Sequence, residues 1–433
     1  MTDSTDPTSA LSRRRFLQVT AAGGAAVVLS SVWDTPSARA ATGGLRVYVL
    51  VTDGMRPDEI GPLTPRLAAL RAAGTSWSDA RSLPVMETIP NHVMMMTGVR
   101  PDRNGVPANS VFDRRENVVR DLDRPSDLRF PTLIERLNAT GATTGTVLSK
   151  EYLFGIFGTR ATYRWEPEPV LPVTGHAPDA FTMDAAIAMV DQFDPNLVFV
   201  NLGDIDRVGH SDLTGTVLQA ERKAALASSD VQIGRFVDHL KRTGRWKRSI
   251  VVVLADHSMD WSLLTNFVSV AQILSDRPDL RDGLQIAQNG GADLLYWTGG
   301  ADRRDAALEE IRRLVLAHPG VLSVQRPDQL RLGAEAGDLV CFSRAGWRFS
   351  DTTPVSNPIP GNHGHPATEP IPFLVSGGHP TVRRGAVSSE AARTLDVAPT
   401  VGALFGLGAP KGGYDGTART SAFTTVAGGK RPR

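Results

Sequence analysis

The residues of this 433-residue chain that could do chemistry are scattered acids and imidazoles around one hydroxyl. Thr88-Ile89-Pro90-Asn91-His92 sets that hydroxyl one residue ahead of an Ile-Pro step. Proline pre-sets a helical backbone angle at a first-turn position, so the spacing predicts a helix leaving from Thr88 through Val93-Met94-Met95-Met96. Thr88 then lies at the positive end of that helix, where free backbone N–H groups face any bound anion. A hydroxyl there is either a helix cap or a nucleophile. Asp53, Asp206, His210, Asp256, His257 and His363 bear on the choice. Asp206 and His210 stand one turn apart if their segment coils, and the adjacent pair Asp256-His257 can grip an ion at a turn. Mixed carboxylate and imidazole donors suit zinc or another first-row divalent metal. Taken singly, each has a bland reading as a turn residue, a cap, a buried imidazole or a loop histidine. All six at one edge of a sheet point to a metal site.

In their order along the chain, Asp53-Gly54, Thr88-x-Pro90-Asn91-His92, Asp206-x-x-Gly209-His210, Asp256-His257 and Gly361-x-His363-Gly364 resemble the motif set of the alkaline phosphatase superfamily. The likeness is strongest to its type I phosphodiesterase/nucleotide pyrophosphatase branch. It runs from about Leu45 to the carboxyl end, where Asp396-Val397-Ala398-Pro399-Thr400 is similar to the family's closing helix. The resemblance implies two divalent metal ions, zinc first among the candidates. Asp206, His210 and His363 would bind one, and Asp53, Asp256 and His257 the other. It further implies that Thr88 is the nucleophile on the second metal and that Asn91 holds a phosphate oxygen.

The chemistry of a threonine supports such a role. With His92, His239 and His365 read as structural or solvent residues, no general base offers itself near Thr88 in the sequence. Ligation to a divalent metal lowers an alcohol's pKa and removes that need. A covalent phospho-Thr88 ester would form and then be hydrolysed by water. Two Zn²⁺ against Asp53, Asp206, Asp256 and a Thr88 alkoxide sum to zero charge, which favours a singly charged diester or pyrophosphate linkage over a dianionic monoester. Val147-Leu148-Ser149-Lys150-Glu151-Tyr152-Leu153 complicates this. It resembles the segment in which phosphonoacetate hydrolases place lysines on a substrate carboxylate, with Lys150 matching and Tyr152 standing where a second lysine is expected. Lys150 and Tyr152 are therefore candidate substrate contacts, and phosphonate or phosphomonoester hydrolysis is an alternative on the same site. Sulfatase chemistry is disfavoured, because those relatives derive their nucleophile from Cys or Ser. A metal-containing binding protein without turnover is a further alternative.

The elements that must position these groups follow from apolar runs. Leu45 to Val51, Thr143 to Leu148, Leu197 to Leu202 and Ser249 to Leu254 read as buried parallel strands. Three of them end within a few residues of Asp53, Asp206 and Asp256, at the edge where open α/β sheets bind ligands. Helical segments at Pro65 to Ala73, Pro131 to Asn138, Asp184 to Phe193 and Ala220 to Thr243 alternate with them, and a last strand at Pro372 to Ser376 precedes a helix at Val397 to Leu404. The order implies an α/β fold with a doubly wound, mainly parallel sheet. From Trp261 to about Pro354 the rhythm changes: strands at Asp293 to Thr298 and Gly337 to Ser343 around a helix at Arg304 to Ala317 predict a small α+β cap insertion. Trp165 to Pro178 reads as a loop.

Composition bounds the partners. Lys+Arg 47 against Asp+Glu 46 leaves no basic excess for nucleic acid or anionic membranes, so neither is expected as a stable partner. A small-molecule phosphate diester, nucleotide or phosphonate is the expected ligand. Ser12-Arg13-Arg14-Arg15-Phe16-Leu17, an apolar run from Val19 to Val32 and Ala38-Arg39-Ala40 resemble a twin-arginine export signal over residues 1–40. Residues 41–433 would then form the catalytic domain. The export machinery is thus a second expected partner, and a periplasmic or extracellular location, soluble after cleavage near Ala40, is implied. Cys341 is the only cysteine, so an internal disulfide is ruled out, and it reads as a small buried hydrophobe.

Overall fold

The apolar runs lie side by side. In the computed structural model, which describes residues 27–29, 44–167, 175–213, 215, 218–353 and 355–424, a nine-stranded sheet forms the centre. Its order is Val27–Leu29, Tyr163–Trp165, Thr144–Leu148, Leu197–Leu202, Arg46–Thr52, Ser249–Leu254, Phe373–Gly377, Thr75–Arg81 and Ala386–Arg393. Every pairing from Tyr163–Trp165 across to Ser249–Leu254 is parallel. Phe373–Gly377 runs against both its neighbours, and Val27–Leu29 runs against Tyr163–Trp165. The sheet is therefore α/β and mainly parallel, as expected. The rest of the twin-arginine reading, and residues 168–174 of the Trp165 to Pro178 loop, lie outside the described residues.

The three central strands, Arg46–Thr52, Leu197–Leu202 and Ser249–Leu254, are buried along their whole length. A strand covered on both faces has no polar side, which is why these runs show no alternation. Register tells which helices cover which face. Val49 lies opposite Phe199 and Tyr48 opposite Val198, so Tyr48 and Phe199 point to opposite faces. Tyr48 meets Phe236 of the helix Ala220–Arg242 edge to face, whereas Phe199 meets Phe157 and the ring of His92. Helix Ala220–Arg242 thus covers one face, with Pro65–Ala73 and Asp179–Phe193 against it; helix Thr88–Thr97 covers the other, with Leu133–Asn138, Glu151–Phe157 and Val397–Leu404 against it.

The strands also end level. Val51 pairs with Leu254 and Thr52 with Leu202, so the residues that follow emerge from neighbouring strands at one height. At roughly 4.8 Å per strand, three such ends lie within about 10 Å of each other. Gly54 turns the chain away after Asp53 with a φ of +73°, and a Cβ there would press on Asp206 at 3.1 Å. That is a conformation and a contact that favour glycine.

Between Trp261 and the return to the main sheet, four antiparallel strands stack in the order Leu284–Asn289, Ala292–Trp297, Leu339–Ser343 and Val321–Gln325. Helix Arg304–Leu316 packs on them, and Leu295, Trp297, Ile311, Val315 and Phe349 form part of a second core with the buried Cys341. Asp293 is the anomaly in this subsheet. It is fully buried, and burial together with the charge of the facing Asp351 pushes its carboxyl well above the usual carboxylate range. A group with a raised folded pKa holds its proton in the native state after the unfolded chain has lost it, so its contribution to stability falls as pH rises above the unfolded value of about 4. Replacing Asp293 by Asn is accordingly expected to raise Tm relative to the parent, with a gain that is small near pH 4 and grows towards pH 8. Thermal denaturation across that range checks it, and a gain independent of pH would contradict the assignment.

Candidate metal centre and hydroxyl

At the level strand ends the three aspartates share one arrangement. Asp53 Oδ2 accepts from Asn201 Nδ2 at 2.7 Å and meets Lys150 Nζ at 2.8 Å. Asp206 Oδ2 meets the same Nζ at 2.7 Å, and Asp256 Oδ1 accepts from the Gly54 amide at 3.1 Å. The other oxygen of each, Asp53 Oδ1, Asp206 Oδ1 and Asp256 Oδ2, is buried without a hydrogen-bond partner among the described residues. Orphaned carboxylate oxygens are costly, and three together call for a cation.

The imidazoles repeat the theme. His210 Nδ1 donates to Gly361 O at 2.7 Å, His257 Nδ1 to Ser258 O at 3.0 Å and His363 Nδ1 to Met86 O at 3.1 Å. A carbonyl only accepts, so each Nδ1 carries the proton and each Nε2 keeps its lone pair, the tautomer a metal ligand needs. Burial pushes His257 down to about 4, and burial followed by the charge of His257 holds His363 well below the ordinary histidine range. Both are neutral at physiological pH, which is the ligating form.

These donors fall into two groups. His210 Nε2 is 3.3 Å from Asp206 Oδ1, and His363 Nε2 is 3.7 Å from it and 3.1 Å from His210 Nε2. His257 Nε2 is 3.3 Å from Asp256 Oδ2, 3.7 Å from Asp53 Oδ1 and 3.2 Å from Thr88 Oγ1. Distance alone also groups Asp53 and Asp256 with His92, and Asp53 with Asp206 and His257. His92 is disqualified by its bonds: Nδ1 is on Thr88 O at 2.8 Å and Nε2 faces Asn201 Nδ2 at 3.0 Å, leaving no lone pair free. The structure therefore brings Asp53, Thr88, Asp206, His210, Asp256, His257 and His363 together, with donors fit for a divalent ion in each group.

Thr88 is the first residue of helix Thr88–Thr97, and Glu87 holds the cap position without a side-chain cap bond. The hydroxyl is thus not spent on capping. Among the described residues, its only side-chain neighbour within hydrogen-bond distance is His257.

A family model described as type I phosphodiesterase / nucleotide pyrophosphatase matches residues 47–365, well over half of the chain. The chain belongs to this family. Mouse ectonucleotide pyrophosphatase/phosphodiesterase family member 1 is 24% identical over 260 residues, covering 56% of this chain and 27% of its own length. The human family member 5 is 23% identical over 382 residues, covering 82% and 73%. The chain thus spans about a quarter of the first relative and nearly three quarters of the second. The solved structure of murine ectonucleotide pyrophosphatase / phosphodiesterase 5 superposes with a TM-score of 0.73 at 18% identity, over 88% of this chain and 100% of that one. Phosphonoacetate hydrolase from Sinorhizobium meliloti 1021 in complex with phosphonoformate gives 0.64 at 19% identity, over 82% and 94%. At these identities the two likenesses speak for the fold, which is that of the alkaline phosphatase superfamily.

Three expectations for the site need correction. Asn91 does not face a phosphate. Its Nδ2 donates to the carbonyls of Leu83, Val85 and Glu87 at 3.1–3.2 Å, and its Oδ1 accepts from the Leu83 amide and the Thr394 hydroxyl. Every donor and acceptor is used in pinning the segment before the helix. Asn109 stands where Asn91 was expected. Its Oδ1 accepts from the Ile89 amide at 2.8 Å, which leaves its NH₂ on a cavity of about 390 Å³ shared with Asp206, His210 and His363. The signal was weak, since Asn109 lies 21 positions after Thr88 in a turn with no motif of its own.

Lys150 is not a substrate contact. It is fully buried beneath Asp53 and Asp206, and only Tyr152 of the expected pair reaches the cavity. Burial disfavours its charge, yet Asp206 and Asp53 hold the Lys150 ammonium above the usual lysine range, so it stays charged. The same pair explains Asp206: burial acts against its ionisation, but Lys150 and His210 hold it well below the ordinary range. The zero charge sum fails for the same reason, because Lys150 adds one positive charge to the site.

Removing the ammonium leaves two buried carboxylates facing each other. Lys150→Met is expected to destabilise the metal-free protein by about 3–5 kcal/mol, and divalent metal is expected to recover more stability in the variant than in the parent. Chemical denaturation with chelator and with excess zinc measures both. An unchanged midpoint in chelator would show that Lys150 does not hold the carboxylates.

Proposed function

We propose that the chain is an exported two-metal hydrolase that cleaves phosphodiester or pyrophosphate bonds through a covalent phospho-Thr88 intermediate. Residues 1–40 would be the twin-arginine leader, and the insertion within about 261–354 a cap on the site. The observation that carries the reading is the convergence of three orphaned carboxylate oxygens and three free imidazole nitrogens around an uncapped threonine hydroxyl. In it, Asp206, His210 and His363 hold one divalent ion, zinc by the mixed oxygen and nitrogen donors, and Asp53, Asp256, His257 and Thr88 hold the other. Bound there, the ions would lower the pKa of the hydroxyl and offset charge on the attacking and leaving oxygens.

The remaining tasks fall to the chain. Thr88 gives up its hydroxyl proton, Oγ attacks phosphorus and the P–O bond to the leaving alcohol or phosphate breaks; the other ester arm stays on the Thr88-bound phosphoryl group, which a water later releases as the phosphomonoester, restoring the hydroxyl. The Asn109 amide, fixed by its bond to Ile89, donates to a phosphoryl oxygen as charge builds on it. Helix Thr88–Thr97 directs its positive end at the same group. The murine relative has been solved as an inactive variant in complex with AMP, which supports nucleotides as one class to assay.

Thr88→Ala is expected to lower kcat/KM on a chromogenic phosphodiester by roughly 10³-fold or more, the scale of losing a nucleophile. Asn109→Ala should lower kcat by about 10²–10³-fold, as loss of one oxyanion donor does. Chelator should abolish turnover and zinc restore it, and acid-quenched protein should carry on Thr88 one phosphoryl group that keeps the substrate's second ester arm. Turnover that survives in Thr88→Ala would end the mechanism, and wild-type turnover insensitive to chelator would end the metal reading.

A further inference from the structure

The cavity above the candidate centre holds a cation that neither metal group uses. Arg207 follows Asp206 on helix Asp204–Ser211 and lines the cavity with Tyr152 and Asn109. One guanidinium nitrogen donates to the Tyr152 hydroxyl at 3.2 Å, and the group lies 5.5 Å from the centre of the Tyr152 ring. Its Nε is buried without a partner, and Arg207 forms no ion pair within 4.0 Å among the described residues. Arg222, buried behind the same helix, shows the alternative: it is paired with both oxygens of Glu59. A guanidinium offers five donors, and the bond to Tyr152 uses one. A cation held at a cavity wall with its remaining donors unspent is arranged for an anion that arrives with a ligand.

Two further observations bear on what that anion is. Lys150 already offsets one aspartate below, so Arg207 is the second positive charge beyond those a singly charged diester would need. Asp121 and Glu87 also line the cavity, and each is engaged elsewhere: Asp121 Oδ1 accepts from the Ser110 hydroxyl and Glu87 Oε2 from the Asn109 backbone amide. Among the described residues the walls offer Tyr152 and Ile359 as their large apolar groups, and no Phe or Trp ring lines the cavity to sandwich a base with Tyr152.

We propose that the substrate carries a second anionic group, a carboxylate or a phosphate, beside the phosphoryl group under attack, and that Arg207, oriented by Tyr152, binds it. This rests on the two-metal reading of the site. Arg207 is then the residue that selects a compact, doubly anionic substrate, and Tyr152 is a positioning residue that acts through it.

The test uses the full zinc-loaded chain and matched p-nitrophenyl phosphodiesters whose second ester arm ends in a carboxylate, a phosphate or a methyl ester. Leaving group and chemistry are the same in all three, so the ratio of kcat/KM for a charged arm to that for the methyl ester reads the subsite alone. The parent is expected to favour at least one charged arm by about 10-fold or more, and the larger ratio names the anion. In Arg207→Gln that ratio should fall by about 10- to 100-fold, the scale of lost hydrogen bonds to a charged group. Arg207→Lys should keep part of it. A ratio unchanged in Arg207→Gln, or a parent that prefers the methyl ester, overturns the proposal. If the parent cleaves none of the three, the reaction reading has failed, and calorimetry with 3-phosphonopropionate against propylphosphonate decides the subsite. Tighter binding of the first in the parent, lost in Arg207→Gln, supports it; equal affinity or no binding overturns it.

Discussion

Three carboxylates buried in one small space repel each other, and the carboxyl edge of the sheet is built around offsetting that repulsion. Burial pushes Asp53 and Asp256 above the ordinary range, and for Asp53 the charge of Asp256 adds to the effect. Asp206 escapes because Lys150 and His210 lie against it. One ammonium between two aspartates leaves the group short of positive charge, and the orphaned oxygens show where the shortfall is felt. Each lies on the side away from the lysine, the asparagine or the backbone amide that satisfies its twin. A polar cluster left half satisfied would be worse than an apolar core. The family's dependence on metal is the natural resolution.

That arrangement descends from the sheet. Level strand ends deliver Asp53 and Asp256 from neighbouring strands, and the turn at Gly54 lets Asp206 approach from the next one. The imidazoles are fixed from elsewhere: His363 by the carbonyl of Met86, just ahead of the Thr88 helix, and His210 by the carbonyl of Gly361. Gly361 is required by closeness, since a Cβ there would fall 2.1 Å from Gly209 O. Backbone groups rather than long side chains set the tautomers, so the donor geometry is as rigid as the segments that carry it.

The parts legible in the sequence were those with an unmixed physical cause. Runs such as Leu197–Leu202 are buried on both faces and had to be apolar throughout, and acids at the ends of such runs announce an edge. Thr75–Arg81 and Ala386–Arg393 went unread because they lie at the far side of the sheet and carry mostly polar and small residues instead of an apolar run, the second being exposed or half-buried along most of its length. The antiparallel sense of Phe373–Gly377 has no sequence mark at all. Asn91 misled for a related reason. Its place in the motif is real, but the amide serves the fold by tying Leu83, Val85, Glu87 and Thr394 together. The amide left on the cavity belongs to Asn109, whose position depends on a bond to Ile89 that only three dimensions reveal. Lys150 was found but its direction was not, because a residue after a strand can point up to the cavity or down between the acids.

Helix Asp204–Ser211 shows how one element can serve two charges of opposite sign. Each residue along an α-helix turns the side chain by about 100°, so Asp206 and His210, four apart, share a side while Arg207 is directed away from them. The first two therefore stay with the candidate ion whatever follows Asp206. The guanidinium is carried to the cavity wall, and Tyr152, from a different segment, holds it there. Position 207 is thereby separated from the donor set in direction although it is adjacent in sequence. A side chain in that place can change what the cavity accepts without moving the carboxylate beside it, and a charged one changes it most, because the low dielectric that makes the aspartates costly to bury also strengthens every charge that faces them.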